Sequence, residues 1–157
     1  MSTIAETSRI TTRGETEYVT FYVGDILLGV DITGVDEINR HVDVTPVPHA
    51  PPFVCGVLNL RGEVVTVVDL RMILGLPPLE AGKTTRTVIV RSKGEQIGLR
   101  VDRIADVARA QSDELDPVPP NLGGAGERFF KGVYKLDGEL LVVLDVEAAL
   151  AVEPQAT

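Results

Sequence analysis

The chain has 157 residues, 44% of them hydrophobic, which suits one domain or two small ones sharing a core. A formal net charge of −8 and a pI near 4.7 oppose phosphate backbones and anionic lipid, so nucleic acid is disfavoured as a partner. Cys55 is the only cysteine, which excludes an intramolecular disulfide, and no run approaches the roughly 20 apolar residues that cross a membrane.

In chain order, residues 1–16 are polar and aperiodic and read as a flexible tail without the apolar segment of a leader. The domain opens near Tyr18, where residues 18–23 and 26–31 predict a hairpin of short strands. Residues 32–42 predict a turn and then a short strand or helical turn, with Val35 and Ile38 facing inward. "TPVPHAPPF" (45–53) holds four of the ten prolines and predicts a rigid connector, because proline cannot donate to a ladder. "VCGVLNL" (54–60) and "EVVTVVDL" (63–70) predict a second hairpin, followed by a short helix over 71–78 that Gly75 and Pro77 end. Beyond a link at 79–83, "TRTVIVRS" (85–92), a turn at Lys93-Gly94 and "EQIGLRV" (95–101) predict a third hairpin.

The second half repeats the first. Aligning Gly29 with Gly98 superposes the apolar positions Val30/Leu99, Ile32/Val101, Val35/Ile104 and Ile38/Val107. A shift of 76 residues pairs 53–74 with 129–150, with nine identities in 22 positions, among them Gly56/Gly132, Gly62/Gly138 and Asp69/Asp145. The two shifts, 69 and 76, differ by seven residues of extra loop, assigned to 112–128. The approximate repeats run over 18–76 and 85–152. Four or five short strands alone make a marginal sheet with exposed edges, so each copy is expected to curl into a small barrel packed on the other.

Candidate chemistry is sparse. "AGKTT" (81–85) has Pro77 where a phosphate loop needs glycine, and a strand follows where phosphate needs a helix N-terminus. His41 and His49 lack Cys or His neighbours at ligand spacing. The serines Ser2, Ser8, Ser92 and Ser112 lie in tails or turns and none forms a nucleophile elbow. Asp69 and Asp145 each stand between a strand and a short helical pattern, where aspartate caps free N–H groups. No enzyme and no cofactor or metal is expected.

The copies differ where Glu37 is matched by Asp106 and Arg61 by Asp137. Only the first can form an ion pair between these sites. Arg61-Gly62 gives up the turn preference of Asp137-Gly138, and its planar fork suits a bidentate grip on the Glu37 carboxylate. Such a pair is either a surface contact worth about 0–1 kcal/mol or part of a docking geometry; charge and repeat leave both open.

"VDEI" (35–38), "TPVPHAPPFVCGVLNLRGEVV" (45–65) and "VVDLR" (67–71), in this order after a starting hairpin, resemble the CheW family, the adaptors of bacterial chemosensory arrays. The resemblance covers about residues 17–152, leaving 153–157 as a C-terminal tail. It implies an all-β fold of two small SH3-like five-stranded β-barrels around a shared core, with short helices. It also implies a non-catalytic cytoplasmic adaptor that couples the cytoplasmic tips of methyl-accepting chemoreceptors to the regulatory domain of the histidine kinase CheA, itself CheW-like, without entering the membrane. The alternative is a related scaffold serving surface motility or a second-messenger output. Carried over by position, the partner-binding residues are Glu37 with Val35 and Ile38, Arg61 with Asn59 and Gly62, and, from "VDRIADV" (101–107), Val101 and Ile104, for which plain core packing is the competing reading. Thr66 departs from the many members with proline there, a change expected to touch an edge strand.

Overall fold

Valine-, isoleucine- and leucine-rich runs form ten strands in the computed structural model, which describes residues 14–40, 43–120 and 128–151. They are β1 (Glu15–Val23), β2 (Ile26–Asp31), β3 (Val35–Asn39), β4 (Val54–Leu60), β5 (Glu63–Asp69), β6 (Arg86–Ser92), β7 (Glu95–Val101), β8 (Arg103–Gln111), β9 (Phe130–Leu136) and β10 (Glu139–Leu144). Helices α1 (Leu70–Ile73) and α2 (Val146–Leu150) follow β5 and β10. Asp69 and Asp145 cap them as expected: Asp69 Oδ1 accepts from the Arg71 N–H at 2.9 Å and Asp145 Oδ1 from the Ala148 N–H at 3.1 Å.

The strands make two five-stranded sheets, in the order β8-β1-β2-β10-β9 and β3-β6-β7-β5-β4. Replacing every strand by its repeat counterpart, β1 by β6 through β5 by β10, converts one order into the other. A mostly β fold of two five-stranded units with short helices is therefore what the chain adopts.

The repeats do not each build one sheet, which corrects the expectation that each copy curls separately. Hairpin β1–β2 of the first copy joins β9–β10 of the second through a parallel β2–β10 pair, and β6–β7 of the second joins β4–β5 of the first through a parallel β5–β7 pair. Gly29 lies opposite Val143 at one joint and Gly98 opposite Val67 at the other.

Burial explains the exchange. Side chains alternate across a strand, and in β10 Leu141 and Val143 enter a cluster confined to the first sheet while Val142 and Leu144 enter a core shared by both sheets. In β5, Val65 and Val67 enter the second sheet's own cluster and Val68 the shared core. Strands apolar on both faces need cover on both, and interlocking the copies supplies it.

Each sheet is also drawn in at its edges. Just past β3, Thr45 bridges to Val57 of β4, the opposite edge strand, with N–H···O distances of 2.8 and 2.9 Å; past β8, Asp116 bridges to Val133 of β9 at the same distances. The bridges reveal a further stretch of the repeat, "TPVP" at 45–48 against "DPVP" at 116–119. This divides the extra length of the second copy into two residues ahead of Asp116 and five behind Pro119. A Cβ on Gly56 would lie 2.4 Å from the Thr45 carbonyl oxygen, and one on Gly132 2.6 Å from that of Asp116, so both bridges require glycine.

Three further expectations shift. The first strand begins at Glu15, pairing Glu15 and Thr16 with Gln111 and Ala110 of β8, so only residues 1–13 of the expected tail lie outside the described residues. Thr66 sits in an inner strand, opposite Val57 on one side and Ile97 on the other, and not at an edge. Ile38 is 40% exposed, while Val35, on the same face of β3, packs toward the shared core. The register shift between Val35 and Glu37 sets Val35 opposite Val90 and Ile38 opposite Val88, so both face the same side of the strand and only the cover over Ile38 is missing.

Candidate functional site

The second sheet carries a hollow of about 810 Å³, bounded by β3, the β4–β5 turn and the β6–β7 turn. Glu37 and Arg61 line it and are joined by an ion pair from Arg61 Nη2 to Glu37 Oε1. The other carboxylate oxygen of Glu37 accepts from Asn39 Nδ2 at 3.1 Å. The Arg61 side chain is 69% exposed and that of Glu37 24%, so the pair belongs to the surface and closes one side of the hollow. Burial of Cys55 against the second sheet's own cluster pushes its thiol up, as a packing residue's would be.

The turn holding Arg61 is strained in a way its counterpart is not. Arg61 and Gly62 both have positive φ, 53° and 87°, as a type I′ turn requires, whereas in the Asp137-Gly138 turn only Gly138 does, at 86°. A left-handed conformation costs a side-chain-bearing residue about 1–2 kcal/mol. The Gly62 N–H donates to Asn59 Oδ1 at 3.0 Å, which secures the turn from the β4 side. Lys93, in the β6–β7 turn, adopts the same φ of 53° before Gly94. Both hairpins that rim the hollow thus use type I′ turns headed by a basic residue.

A second set of polar groups lines the hollow and was not legible as a site. Arg91 Nη2 donates to Asp36 Oδ2 at 2.7 Å and Gln96 Nε2 to the same oxygen at 2.8 Å. The Gln96 hydrogen bond, with Arg91 beside it, holds the Asp36 carboxyl below its ordinary value. Val64, 69% exposed, stands among these charges. No local signal marks it: β5 is apolar on both faces, and the Asp36–Arg91 contact depends on the β3–β6 register.

Among the described residues, the first sheet has nothing like the Glu37–Arg61 closure. Its equivalents, Asp106 on β8 and Asp137 in the β9–β10 turn, are both acids. There β8 is held instead by the Thr20 hydroxyl donating to the Asp106 carbonyl. Tyr22 replaces Arg91, donates to Glu139 Oε2 at 2.8 Å, and carries the Arg103 guanidinium 4.0 Å above its ring centre. The two sheets therefore present unlike faces.

Of the sequence-derived site residues, Glu37, Asn59, Arg61 and Gly62 gather at the hollow and its turn, and Val35 and Ile38 share the face of β3 that lies opposite Val90 and Val88. Ile104 is elsewhere, on β8 opposite Phe21 and half-buried against the shared core. Val101 is wholly buried in that core, which corrects its assignment as a contact residue: its side chain packs and reaches no surface. His41 lies outside the described residues, and among the described residues no group of three or more His, Cys, Asp or Glu could hold a metal. No helix among them is long and apolar enough to cross a membrane. What the arrangement offers chemically is recognition: an open hollow with fixed charges and an exposed valine.

A family model for the CheW-like domain matches residues 17–153. The chemotaxis protein CheW of Treponema pallidum (strain Nichols) is 35% identical over 134 residues, covering 83% of this chain and 79% of that protein. The chemotaxis protein CheW of Rhizobium meliloti (strain 1021) is 31% identical over 142 residues, covering 90% and 92%. The crystal structure of the scaffolding protein TtCheW from Thermoanaerobacter tengcongensis agrees with a TM-score of 0.80 at 28% identity, over 89% of this chain and 95% of that one. With the domain match spanning nearly the whole chain and the interlocked sheets matching a known scaffold, the chain belongs to the CheW family of non-catalytic chemotaxis scaffold proteins.

Proposed function

We propose that this chain works in the cytoplasm, coupling the cytoplasmic tips of methyl-accepting chemoreceptors to the regulatory domain of the histidine kinase CheA. The observation that carries this reading is the inequality of the two sheets. The interlocked repeat gives one body two related faces, and only the second sheet has the hollow closed by Glu37 and Arg61. A coupling protein needs two docking ends that accept different partners, and unlike charges at equivalent positions supply them. Glu37, Arg61, Asn59, Gly62, Val35 and Ile38 form the proposed contact set for one partner. Ile104, half-buried beside the second chain crossing, belongs to the proposed seat of the other. A partner seated here withdraws the Glu37–Arg61 pair from water, which makes it a determinant of docking, and covering Val64 and Ile38 removes apolar surface from water.

Titration of the purified chain against a CheA regulatory domain and, separately, a receptor signalling-tip fragment tests the reading, followed by kinase assays with all three. Binding of both partners together, with receptor-dependent change in kinase activity, supports it. Failure to bind either partner overturns it.

A further inference from the structure

The chain passes between the two sheets at two points, from β2 to β3 through the single 3-10 turn Ile32–Gly34 and from β7 to β8 at Asp102. These crossings are equivalent in the repeat but differ in how they are held. At the first, Asp31 Oδ1 accepts from the Thr33 N–H at 2.9 Å and its hydroxyl at 2.8 Å, bonds that reach two residues along the chain. At the second, groups from three distant segments converge on one residue. Asp102 Oδ2 accepts from Arg71 Nη1 at 2.6 Å, out of α1 on the second sheet, and from the Gly24 N–H at 2.7 Å, in the β1–β2 turn of the first. The Thr84 hydroxyl donates to the Asp102 carbonyl at 2.9 Å, and the Asp102 N–H donates to the Tyr22 carbonyl at 3.0 Å. Arg71 is itself fixed, its Nε donating to the Pro77 carbonyl at 2.8 Å.

The side chains of Arg71 and Asp102 are 15% and 23% exposed, whereas the arginines of the other ion pairs are 53–69% exposed. A charge-assisted bond withdrawn from water is stronger and less screened than a surface pair. The positions equivalent to Asp102 and Arg71 in the repeat are Thr33 and Glu147, which cannot form an ion pair. We propose that Arg71 and Asp102 are positioning residues, a brace across the second crossing that sets the orientation of one sheet relative to the other. The shared core is apolar and non-directional; the brace supplies the directional contact, because the one carboxylate oxygen takes a donor from each sheet. The inference goes beyond the coupling reading and holds whichever partner docks.

Spin-label distances test it. In a Cys55→Ala background, labels at Val107→Cys on the first sheet and Val64→Cys on the second report the inter-sheet distance, both sites being exposed. A control pair, Val64→Cys with Lys93→Cys, stays within the second sheet. Arg71→Met keeps the apolar stem and removes the brace; Asp102→Asn keeps an acceptor for the Gly24 N–H and removes the charge. The expected result is a broadened or shifted inter-sheet distribution, larger for Arg71→Met, with the control pair unchanged. An unchanged inter-sheet distribution with a lowered melting temperature would reduce the pair to a stabilising contact and overturn the proposal, as would equal broadening of both pairs. Should Arg71→Met not fold, Asp102→Asn is judged by the same criteria.

Discussion

Glu37 on β3 and Arg61 in the β4–β5 turn are joined by an ion pair although β3 and β4 are the two opposite edges of the second sheet. The pair thus spans the mouth of a curled sheet whose ends the Thr45–Val57 bridge also joins through the backbone. Arginine is not there for the turn, whose left-handed φ it fits poorly, but for what its side chain reaches across the sheet.

From this follows a small effect on stability. Arg61→Asp loses an exposed ion pair worth about 0–1 kcal/mol and gains a residue better suited to a left-handed turn position. Thermal melting of Arg61→Asp and Glu37→Lys is expected to change by no more than about 1 kcal/mol each, with the double exchange recovering part of any loss.

The Gly56 bridge is a harder constraint. Gly56→Ala would place a methyl group 2.4 Å from the Thr45 carbonyl oxygen, a backbone atom that cannot rotate away. The expected cost is about 1–3 kcal/mol, as for other overpacked sites, read as a lowered denaturation midpoint with unchanged slope. An alanine variant as stable as the parent would mean that the connector does not pair with β4.

Asp69 gives a pH signature. Burial raises its carboxyl above the ordinary value of 3.8, against the opposing pull of the Arg71 N–H and the nearby Arg100 and Arg71 charges. The folded state therefore holds this proton more tightly than the unfolded chain, so the stability it contributes is full below the unfolded value and declines as pH rises through the folded one. Asp69→Asn retains a capping oxygen and cannot titrate. The melting temperature of the parent minus that of Asp69→Asn should fall with rising pH just above about pH 4 and then level off; a difference growing with pH over that window would contradict the raised value.

Val101 and Ile38 separate packing from docking. Val101→Ala empties a wholly buried site and is expected to cost about 1.5–3 kcal/mol, leaving partner affinity unchanged where the protein is folded. Ile38→Ser, at a position 40% exposed, should leave melting nearly unchanged and weaken partner binding. The reverse pattern would exchange their roles.

Much of this architecture can be read in the residues alone. The identities between 53–74 and 129–150 reveal the duplication, and the contrast of Glu37 and Arg61 with Asp106 and Asp137 leads to the hollow. The interlocking cannot be read that way, because the alternation of β7 is the same whether its neighbour is β10 or β5. Parallel partners are joined by no turn and leave no local signal. The Arg71–Asp102 brace is silent for a related reason: 31 residues part its members, with neither periodicity nor a repeat counterpart to link them. Ile38 and Val101 mark the limit of apolar patterning, which says that a residue faces one side of a strand but not whether another element covers that side.

The central claim is that the Glu37–Arg61 face serves docking more than folding. Its most direct measurement is the affinity of a CheA regulatory domain for the parent chain, Arg61→Asp and Glu37→Lys, with melting curves on the same samples. The account predicts that the parent binds and that each variant loses affinity by an amount equivalent to about 2 kcal/mol or more while its melting temperature hardly moves. Variants that bind like the parent, or that lose binding only as they lose stability, would contradict it.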